Sequence, residues 1–310
     1  MKRLVFITFI GLIAAVSVTP GQTLRQGQGY NDRGLLRQSQ GDVDGAIEDF
    51  TRAIEQSSGT LQLVAYNNRA NARVSKSDWD GAIADYTRSL DLLLDKDRDA
   101  VVNKKRSNSD GGSGGAAGII MAPPVELTYN NRGNARREKG DIAGAIADYS
   151  EALARNPRYA DAYYNRGLAL QSKDDRDGAI RDYSTALQLA PHLTDAYVNR
   201  GQVKQSKGDL EGAMADYNAA LQLKSDDADI YFARGTARQA KQDLDGALAD
   251  YSKAIELDAN EAQAYANRAV IETLQNKKRA ADEDFARAFK LNPGLKATYK
   301  EFLETRRSRP

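Results

Sequence analysis

The chain has 310 residues, a formal net charge of +1, no cysteine and a single histidine, His192. These counts exclude disulfides, thiolate chemistry and metal sites built from several cysteines or histidines, so we expect no metal and no cofactor. The near balance of 44 Lys and Arg against 43 Asp and Glu gives no long-range attraction to nucleic acid or to anionic lipid.

Residues 1–21 have the pattern of a secretory signal peptide. A basic pair, Lys2 and Arg3, precedes an apolar run from Leu4 to Val18, and small residues follow up to Gly21. The apolar run is shorter than the ~20 residues that a membrane-spanning helix needs. We therefore expect cleavage after Gly21, no stable membrane span in the mature chain, and export to the periplasm or to the extracellular space. The alternative is that this segment stays attached as an uncleaved membrane anchor.

A pattern of 34 residues recurs seven times between residues 27 and 295, in units that begin at residues 27, 63, 126, 160, 194, 228 and 262. Position 4 of every unit is tyrosine, position 20 is alanine, and position 24 is tyrosine or phenylalanine. Position 8 is always small: Gly34, Ala70, Gly133, Gly167, Gly201, Gly235 and Ala269. Because positions 4 and 8, like 20 and 24, lie one helical turn apart, the pattern predicts two amphipathic helices in each unit.

The two predicted helices are joined by a short turn. Gly41-Asp42, Gly140-Asp141 and Gly208-Asp209 place a glycine at the end of the first helix and an aspartate at the N-cap of the second. Small residues at positions 8 and 20 let the helices approach closely, while the aromatic rings fill the wider gap one turn away. A single unit cannot bury both of its faces, so the units are expected to stack into a solenoid.

The period and the pattern resemble the tetratricopeptide repeat family. The resemblance implies an all-α fold, a right-handed superhelical solenoid of helix-turn-helix units, with repeats 1–2 in residues 27–96 and repeats 3–7 in residues 126–295. The sequence departs from the family at two positions. Position 7, commonly leucine, is arginine in every unit, and position 23, commonly aromatic, is aspartate in every unit.

The paired recurrence of arginine and aspartate predicts structural ion pairs between the two helices. The sequence leaves open whether each pair lies within one unit or joins neighbouring units. The alternative is an arginine ladder that binds phosphates or acidic ligands. In repeats 4–6 the residues concerned are Arg166, Asp182, Arg200, Asp216, Arg234 and Asp250.

Residues 97–125 form an insertion between repeats 2 and 3. Glycine, serine and charged residues dominate its middle, which predicts a flexible linker that weakens the stacking of these two repeats. The apolar tract from Ile119 to Met121 either packs on the neighbouring repeat or enters the groove as an internal ligand. Residues 296–310 predict a short capping helix that covers the last core face and ends in a basic tail.

The resemblance also implies that the first helices line a concave surface, with positions 2, 5, 6, 9, 12 and 13 facing a bound peptide. Asn and Gln side chains can donate to and accept from the backbone of an extended peptide, while larger side chains shelter its apolar residues. The candidate binding residues are Asn130, Asn131, Asn134, Tyr164, Asn165, Leu168, Gln171, Val198, Asn199, Gln202, Gln205, Phe232 and Gln239.

Two of these assignments have structural alternatives. Tyr164, Val198 and Phe232 could brace the neighbouring repeat instead of binding a ligand. Position 2 of repeats 4–6 carries an acid that could favour a basic ligand, but we expect it to cap a helix; the residues are Asp161, Asp195 and Asp229.

The function predicted from these features is that of a non-catalytic scaffold that binds another protein or an extended peptide. We find no Gly-rich phosphate loop, no nucleophile elbow and no metal-ligand cluster, so an enzyme is not expected. Nucleic-acid binding would need a basic face, and the arginines are matched by aspartates. The alternative is a self-assembling structural component of an envelope or secretion complex, in which self-association replaces ligand capture.

Overall fold

A computed structural model describes residues 26–106 and 121–307, and these residues form sixteen α-helices and no strand. The seven first helices are α1 Gln26–Ser39, α3 Gly59–Ser75, α5 Val125–Lys139, α7 Ala160–Ser172, α9 Thr194–Ser206, α11 Ala228–Ala240 and α13 Ala262–Leu274. The seven second helices are α2 Val43–Glu55, α4 Trp79–Arg106, α6 Ile142–Arg155, α8 Arg176–Leu189, α10 Leu210–Leu223, α12 Leu244–Leu257 and α14 Lys278–Leu291. Two short helices follow, α15 Leu295–Thr298 and α16 Lys300–Arg307. The signal peptide predicted in residues 1–21 lies outside the described residues.

Within a unit, the ring at position 24 lies directly against the small residue at position 8. Tyr217 is completely buried, and a Cβ atom added to Gly201 would lie only 2.8 Å from its Cε1 atom. The alanine at position 20 of the same unit, Ala213, is also completely buried. The two helices of each unit therefore approach closely at the small residues and are held together one helical turn away by the large ring.

The turn between the two helices has the predicted cap. Asp209 is the N-cap of α10, and its Oδ1 atom accepts a hydrogen bond from the backbone N–H of Gly212 at 2.9 Å. Gly208, just before it, has a φ of 83°, a left-handed conformation that glycine adopts without steric cost. The last unit differs, because Lys277 occupies the N-cap position of α14 and makes no cap hydrogen bond through its side chain.

We expect Asp209→Ala to lower the free energy of unfolding by about 1 kcal/mol, because the first turn of α10 loses its side-chain acceptor. Lys277 occupies the same repeat position without a cap bond, so Lys277→Ala is the matched control and should change little. Urea denaturation followed by circular dichroism measures both. Equal losses for the two variants would show that the cap makes no specific contribution.

The arginine and aspartate at positions 7 and 23 form an ion pair within each unit. In the fifth unit, Arg200 donates from Nε and Nη2 to the two carboxylate oxygens of Asp216, at 3.0 and 2.6 Å. Its Nη1 atom donates to the hydroxyl of Ser184, at position 25 of the preceding unit, at 2.9 Å. The same side chain thus joins the two helices of its own unit and the neighbouring unit, and its occupied donors favour a structural role over phosphate binding.

A second polar ladder, which is not predicted from the sequence, joins neighbouring units near the turn. Lys207, at position 14, pairs with Asp177, at position 18 of the preceding unit, and Lys241 pairs with Glu211 in the same way. Because all four side chains are partly or largely exposed, the pairs contribute little energy each and mainly fix the register between units.

The insertion leaves the core continuous. Helix α4 extends to Arg106, ten residues past the second repeat, and the Gly/Ser-rich residues 107–120, with Ile119, lie outside the described residues. Leu63 and Leu93 of the second repeat share one buried cluster with Tyr129 of the third, and Met121 is 82% exposed. Repeats 2 and 3 therefore pack directly on each other, although the composition of the insertion predicts weakened stacking.

The C-terminal segment covers the last repeat. Tyr299, Phe302 and Leu303 pack against Phe285 of α14, and the Tyr299 hydroxyl donates to Oδ1 of Asn267 at 2.6 Å. The face of α14 that a further repeat would cover is therefore buried by the chain's own residues.

Candidate peptide-binding surface

The first helices lie side by side, with α7 in contact with α9 and α9 in contact with α11. Their shared face opens into a cleft of about 570 Å³ between α9, α11 and the start of α13. The cleft is lined by Gln202, Gln205, Ser206, Tyr217, Asp229, Phe232, Ala233, Thr236, Glu261 and Gln263. Eight of these ten occupy positions 2, 5, 6, 9, 12 or 13 of their units, and three of them, Gln202, Gln205 and Phe232, are among the predicted binding residues.

The larger predicted binding residues are half-buried on this face. The ring centroid of Tyr164 lies 5.9 Å from that of Tyr183, and the centroid of Phe232 lies 5.8 Å from that of Tyr251. Val198 and Leu168 pack in the same way beside the buried rings of their units. Each side chain therefore braces the ring of its own unit with one side and presents its other side to the groove.

Tyr164 is also tied to the next unit, because its hydroxyl accepts a hydrogen bond from Nδ2 of Asn199 at 3.0 Å. Burial raises the pKa of Tyr164 to about 12, and the nearby carboxylate of Asp195 adds to this effect. The phenol therefore stays neutral at physiological pH and can act as a hydrogen-bonding group at the edge of the groove.

The amides at position 12 are largely committed to the fold. In repeats 4–6 the buried tyrosine donates its hydroxyl proton to a glutamine Oε1 atom: Tyr183 to Gln171, Tyr217 to Gln205 and Tyr251 to Gln239, at 2.7 to 2.9 Å. This bond satisfies a phenol that would otherwise be buried without an acceptor. The amide N–H groups remain for a ligand in Gln171 and Gln239, whereas Gln205 Nε2 donates to Thr236 at 3.1 Å.

The asparagines of the third repeat are likewise engaged or enclosed. Asn134 accepts from the Tyr149 hydroxyl at 2.8 Å, and Asn130 is buried and accepts from Nδ2 of Asn165 at 3.0 Å. Asn131 is half-buried, whereas Gln202 is exposed in the cleft. The freely available amide surface expected from the sequence is therefore smaller than the number of asparagines and glutamines suggests.

The acids at position 2 do not cap their helices, contrary to the sequence expectation. The N-cap of α11 is Asp227, whose Oδ1 atom accepts from the backbone N–H of Asp229 at 3.0 Å. The N-caps of α7 and α9 are Tyr159 and Leu193, so Asp161 and Asp195 lie inside the first turns of these helices. The prediction failed because residues upstream of position 2 occupy the cap, which leaves the position 2 carboxylates on the groove face.

Two carboxyl groups of this face have raised pKa values. Burial raises the pKa of Glu261, and the negative charge of Asp229 adds to the effect. Burial also raises the pKa of Asp161, although His192 acts in the opposite direction. A raised pKa means that the folded protein leaves these anions poorly compensated, so a cation placed beside them would be favoured.

Across residues 26–106 and 121–307, no group of three or more His, Asp or Glu side chains is arranged to hold a metal ion. None of the helices in the same residues has the length and apolar composition needed to cross a bilayer.

The helices are paired, the pairs stack side by side, and the first helix of every pair lies on one shared polar face. This arrangement defines a helical-repeat solenoid. A family model described as TPR repeat matches residues 133–174 and 205–242. Three models described as tetratricopeptide repeat match residues 31–98, 160–193 and 228–261. The four models together cover more than half of the chain. The chain belongs to the tetratricopeptide repeat family.

Solved structures share this fold at low sequence identity. A tetratricopeptide repeat protein from Parabacteroides merdae is 18% identical over 92% of this chain and 100% of its own, with a TM-score of 0.58. The C-terminal part of a TPR repeat-containing protein from Cytophaga hutchinsonii is 18% identical over 84% of this chain and 95% of its own, with a TM-score of 0.63. YrrB, described as a TPR protein with an unusual peptide-binding site, is 24% identical over 54% of this chain and 87% of its own, with a TM-score of 0.50. A search of the curated proteins finds no match.

Proposed function

We propose that the protein is a non-catalytic scaffold that binds an extended segment of another protein along the face of α7, α9, α11 and α13. The observation that carries this proposal is the open cleft of about 570 Å³, which is lined at the repeat positions where the family binds its ligands. Half-buried aromatic side chains beside exposed polar groups suit a peptide that carries both apolar and polar residues. The printed description of YrrB as peptide-binding supports the proposal by analogy of fold.

The face of α7 to α13 has few features of a catalytic centre. Its tyrosines have raised pKa values because they are buried, and their hydroxyls are used in hydrogen bonds that hold the two helices of a unit together. Among the ten residues that line the cleft, none is histidine, lysine, arginine or cysteine. We therefore propose binding without chemistry.

We expect the double variant Tyr164→Ala, Phe232→Ala to weaken peptide binding about ten-fold or more, because aromatic anchors in a groove carry a large share of the binding energy. Peptides selected from a random library on the parent protein are labelled and titrated against both forms by fluorescence anisotropy. Leu223→Ala is the matched control, since Leu223 is an exposed apolar residue at the end of the second helix α10.

The control should bind as the parent does, and all forms should keep the same helical content. Selected peptides that bind the double variant as tightly as the parent would remove these two residues from the binding surface. Loss of binding in Leu223→Ala alone would place the site on the second helices.

We also propose that the protein acts after export. The N-terminal pattern of two basic residues and a short apolar run supports this. N-terminal sequencing of the protein recovered from the exported fraction should begin at Gln22, and recovery of an intact N-terminus in the cytoplasm would overturn the proposal.

Self-association is the second candidate role, and one feature of α1 favours it. Position 10 is buried in units 2–7 against the preceding unit, whereas in the first unit it is Leu36, which is 56% exposed beside the exposed Leu35. Sedimentation over a range of protein concentrations tests this role without any ligand. Growth in mass that Leu36→Asp abolishes would support it, and a constant monomer mass would exclude it.

A further inference from the structure

The binding face of repeats 4–7 carries negative charge without positive charge. We define this face, the acidic lumen, as positions 2, 5, 6, 9, 12 and 13 of α7, α9, α11 and α13. It contains Asp161, Asp195 and Asp229, and none of its residues is lysine or arginine. The chain as a whole has equal numbers of cations and anions to within one residue, so this face is segregated in charge.

The three carboxylates have no ion-pair partner within the described residues, unlike the aspartates at position 23. Asp195 and Asp229 are exposed to solvent, and Asp161 is half-buried. The adjoining face of the third repeat contributes one cation, Arg137, which is already paired with Glu138 at 3.0 Å. The charge of the acidic lumen is therefore available to a ligand.

An apolar side chain accompanies each carboxylate. Tyr164, Val198 and Phe232 follow the three aspartates by three residues, which places both side chains on the same face of the helix, one turn apart. The cleft beside Phe232 adds Glu261 to Asp229, so two carboxyl groups border the same half-buried ring. Each unit thus offers a small apolar surface with an anion beside it.

The repeat spacing sets the spacing of the ligand groups. Packed helices lie about 8–10 Å apart, so successive carboxylates of the acidic lumen are separated by about the same distance. A peptide in the extended polyproline II conformation advances about 3.1 Å per residue with three residues per turn, so three residues span one unit and every third side chain lies on the same face. Carboxylates this far apart cannot share one metal ion, whose oxygen ligands lie within about 2.6 Å of it.

We propose that the acidic lumen binds an extended peptide segment with lysine or arginine at every third residue and apolar residues between them. The charge complementarity between such a segment and Asp161, Asp195 and Asp229 selects this partner over an acidic one. The apolar residues of the segment rest against Tyr164, Val198 and Phe232. This inference rests on the proposed function, because it assigns the class of ligand to the same surface.

The first test compares three labelled peptides with the same apolar residues. One has lysine at every third position, the second has glutamine there, and the third has glutamate. Fluorescence anisotropy with the purified protein should give the order lysine, glutamine, glutamate from tightest to weakest. The preference for lysine should shrink as salt is raised from about 50 mM to about 500 mM, because screening weakens exposed ion pairs. A glutamate peptide that binds as well as the lysine peptide overturns the proposal.

The second test removes the charge without changing the shape. Asp195→Asn and Asp229→Asn should each weaken binding of the lysine peptide about two- to five-fold and leave binding of the glutamine peptide unchanged. Glu48→Gln is the matched control, since Glu48 is an exposed acid on the second helix α2 and its substitution alters the net charge equally. An effect of Glu48→Gln equal to that of Asp195→Asn would show that only the net charge matters and would overturn the assignment.

The two tests separate this inference from the function on which it rests. If the glutamine peptide binds, Phe232→Ala weakens it and lysine gives no advantage, the groove is confirmed as a peptide site and the assignment of a basic ligand is wrong. If none of the three peptides binds, the assignment of the basic segment fails, while peptides selected from a random library still decide the proposed function independently.

Discussion

Replacing Asp216 with alanine is expected to lower the free energy of unfolding by about 3–5 kcal/mol, the largest effect that we predict for a single charge. Asp216 is 3% exposed and accepts from both Nε and Nη2 of Arg200. Asp216 also pairs with Lys204, whose Nζ atom lies 2.9 Å from Oδ2 of Asp216. The same oxygen accepts the hydrogen bond from Nε of Arg200. Removal of Asp216 leaves two cations in partly buried sites without a counter-charge.

The measurement is urea denaturation, with Asp209→Ala as a matched loss of an aspartate from the same repeat. Asp209 is exposed at the N-cap of α10, so its loss should cost about 1 kcal/mol. Replacing both partners, in Arg200→Met with Asp216→Leu, should restore part of the lost stability, because only Lys204 then lacks its counter-charge. A loss below about 1 kcal/mol for Asp216→Ala would show that the ion pair does not stabilise the repeat.

The second large effect is expected at the ring that joins the two helices of a unit. Tyr217→Ala should cost about 3–5 kcal/mol, because the side chain is fully buried against Gly201 and its removal leaves a cavity. Tyr217→Phe removes only the hydrogen bond to Gln205 and should cost about 1 kcal/mol. The chain supports this comparison itself, since Phe50 and Phe285 occupy the same position in the first and last repeats.

Both variants are compared by thermal and urea denaturation. Because repeats contact only their neighbours, the loss at Tyr217 should loosen the fifth repeat and its two interfaces before the rest of the array. Hydrogen exchange should therefore rise first in α9 and α10. Equal costs for Tyr217→Ala and Tyr217→Phe would contradict the packing that we assign to the ring.

The sequence predicts the repeat well because each structural position has one dominant requirement. A small residue at position 8 and a ring at position 24 are complementary in size, and Asp209 in front of a helical pattern is a cap by its spacing alone. The pairing of Arg200 with Asp216 is predictable in kind from its sevenfold recurrence. That the pair lies within one unit depends on the angle between two helices, which the sequence pattern does not encode.

The binding surface was harder to predict, because the repeat pattern gives the face of a residue but not its partner. Gln171 and Gln239 face the groove as expected, yet their carbonyl oxygens are taken by buried tyrosines one helix away. Asp229 was interpreted as a cap because it lies near a helix start, although Asp227, two residues earlier, fills that role. Asp227, upstream of Asp229, was the signal in the sequence that could have corrected this prediction. Because Asp227 can serve as the cap, Asp229 is left inside the helix, on the groove face.

The most direct test of the account is photo-crosslinking from the two faces of one repeat. A benzophenone amino acid is introduced in place of Ala233, which lines the cleft on α11, and separately in place of Ala249, which is exposed on the second helix α12. Each protein is irradiated with a library-selected peptide, and the products are separated by mass. We expect a crosslinked product from position 233 and none from position 249. Crosslinking from position 249 with none from position 233 would contradict binding along the first helices.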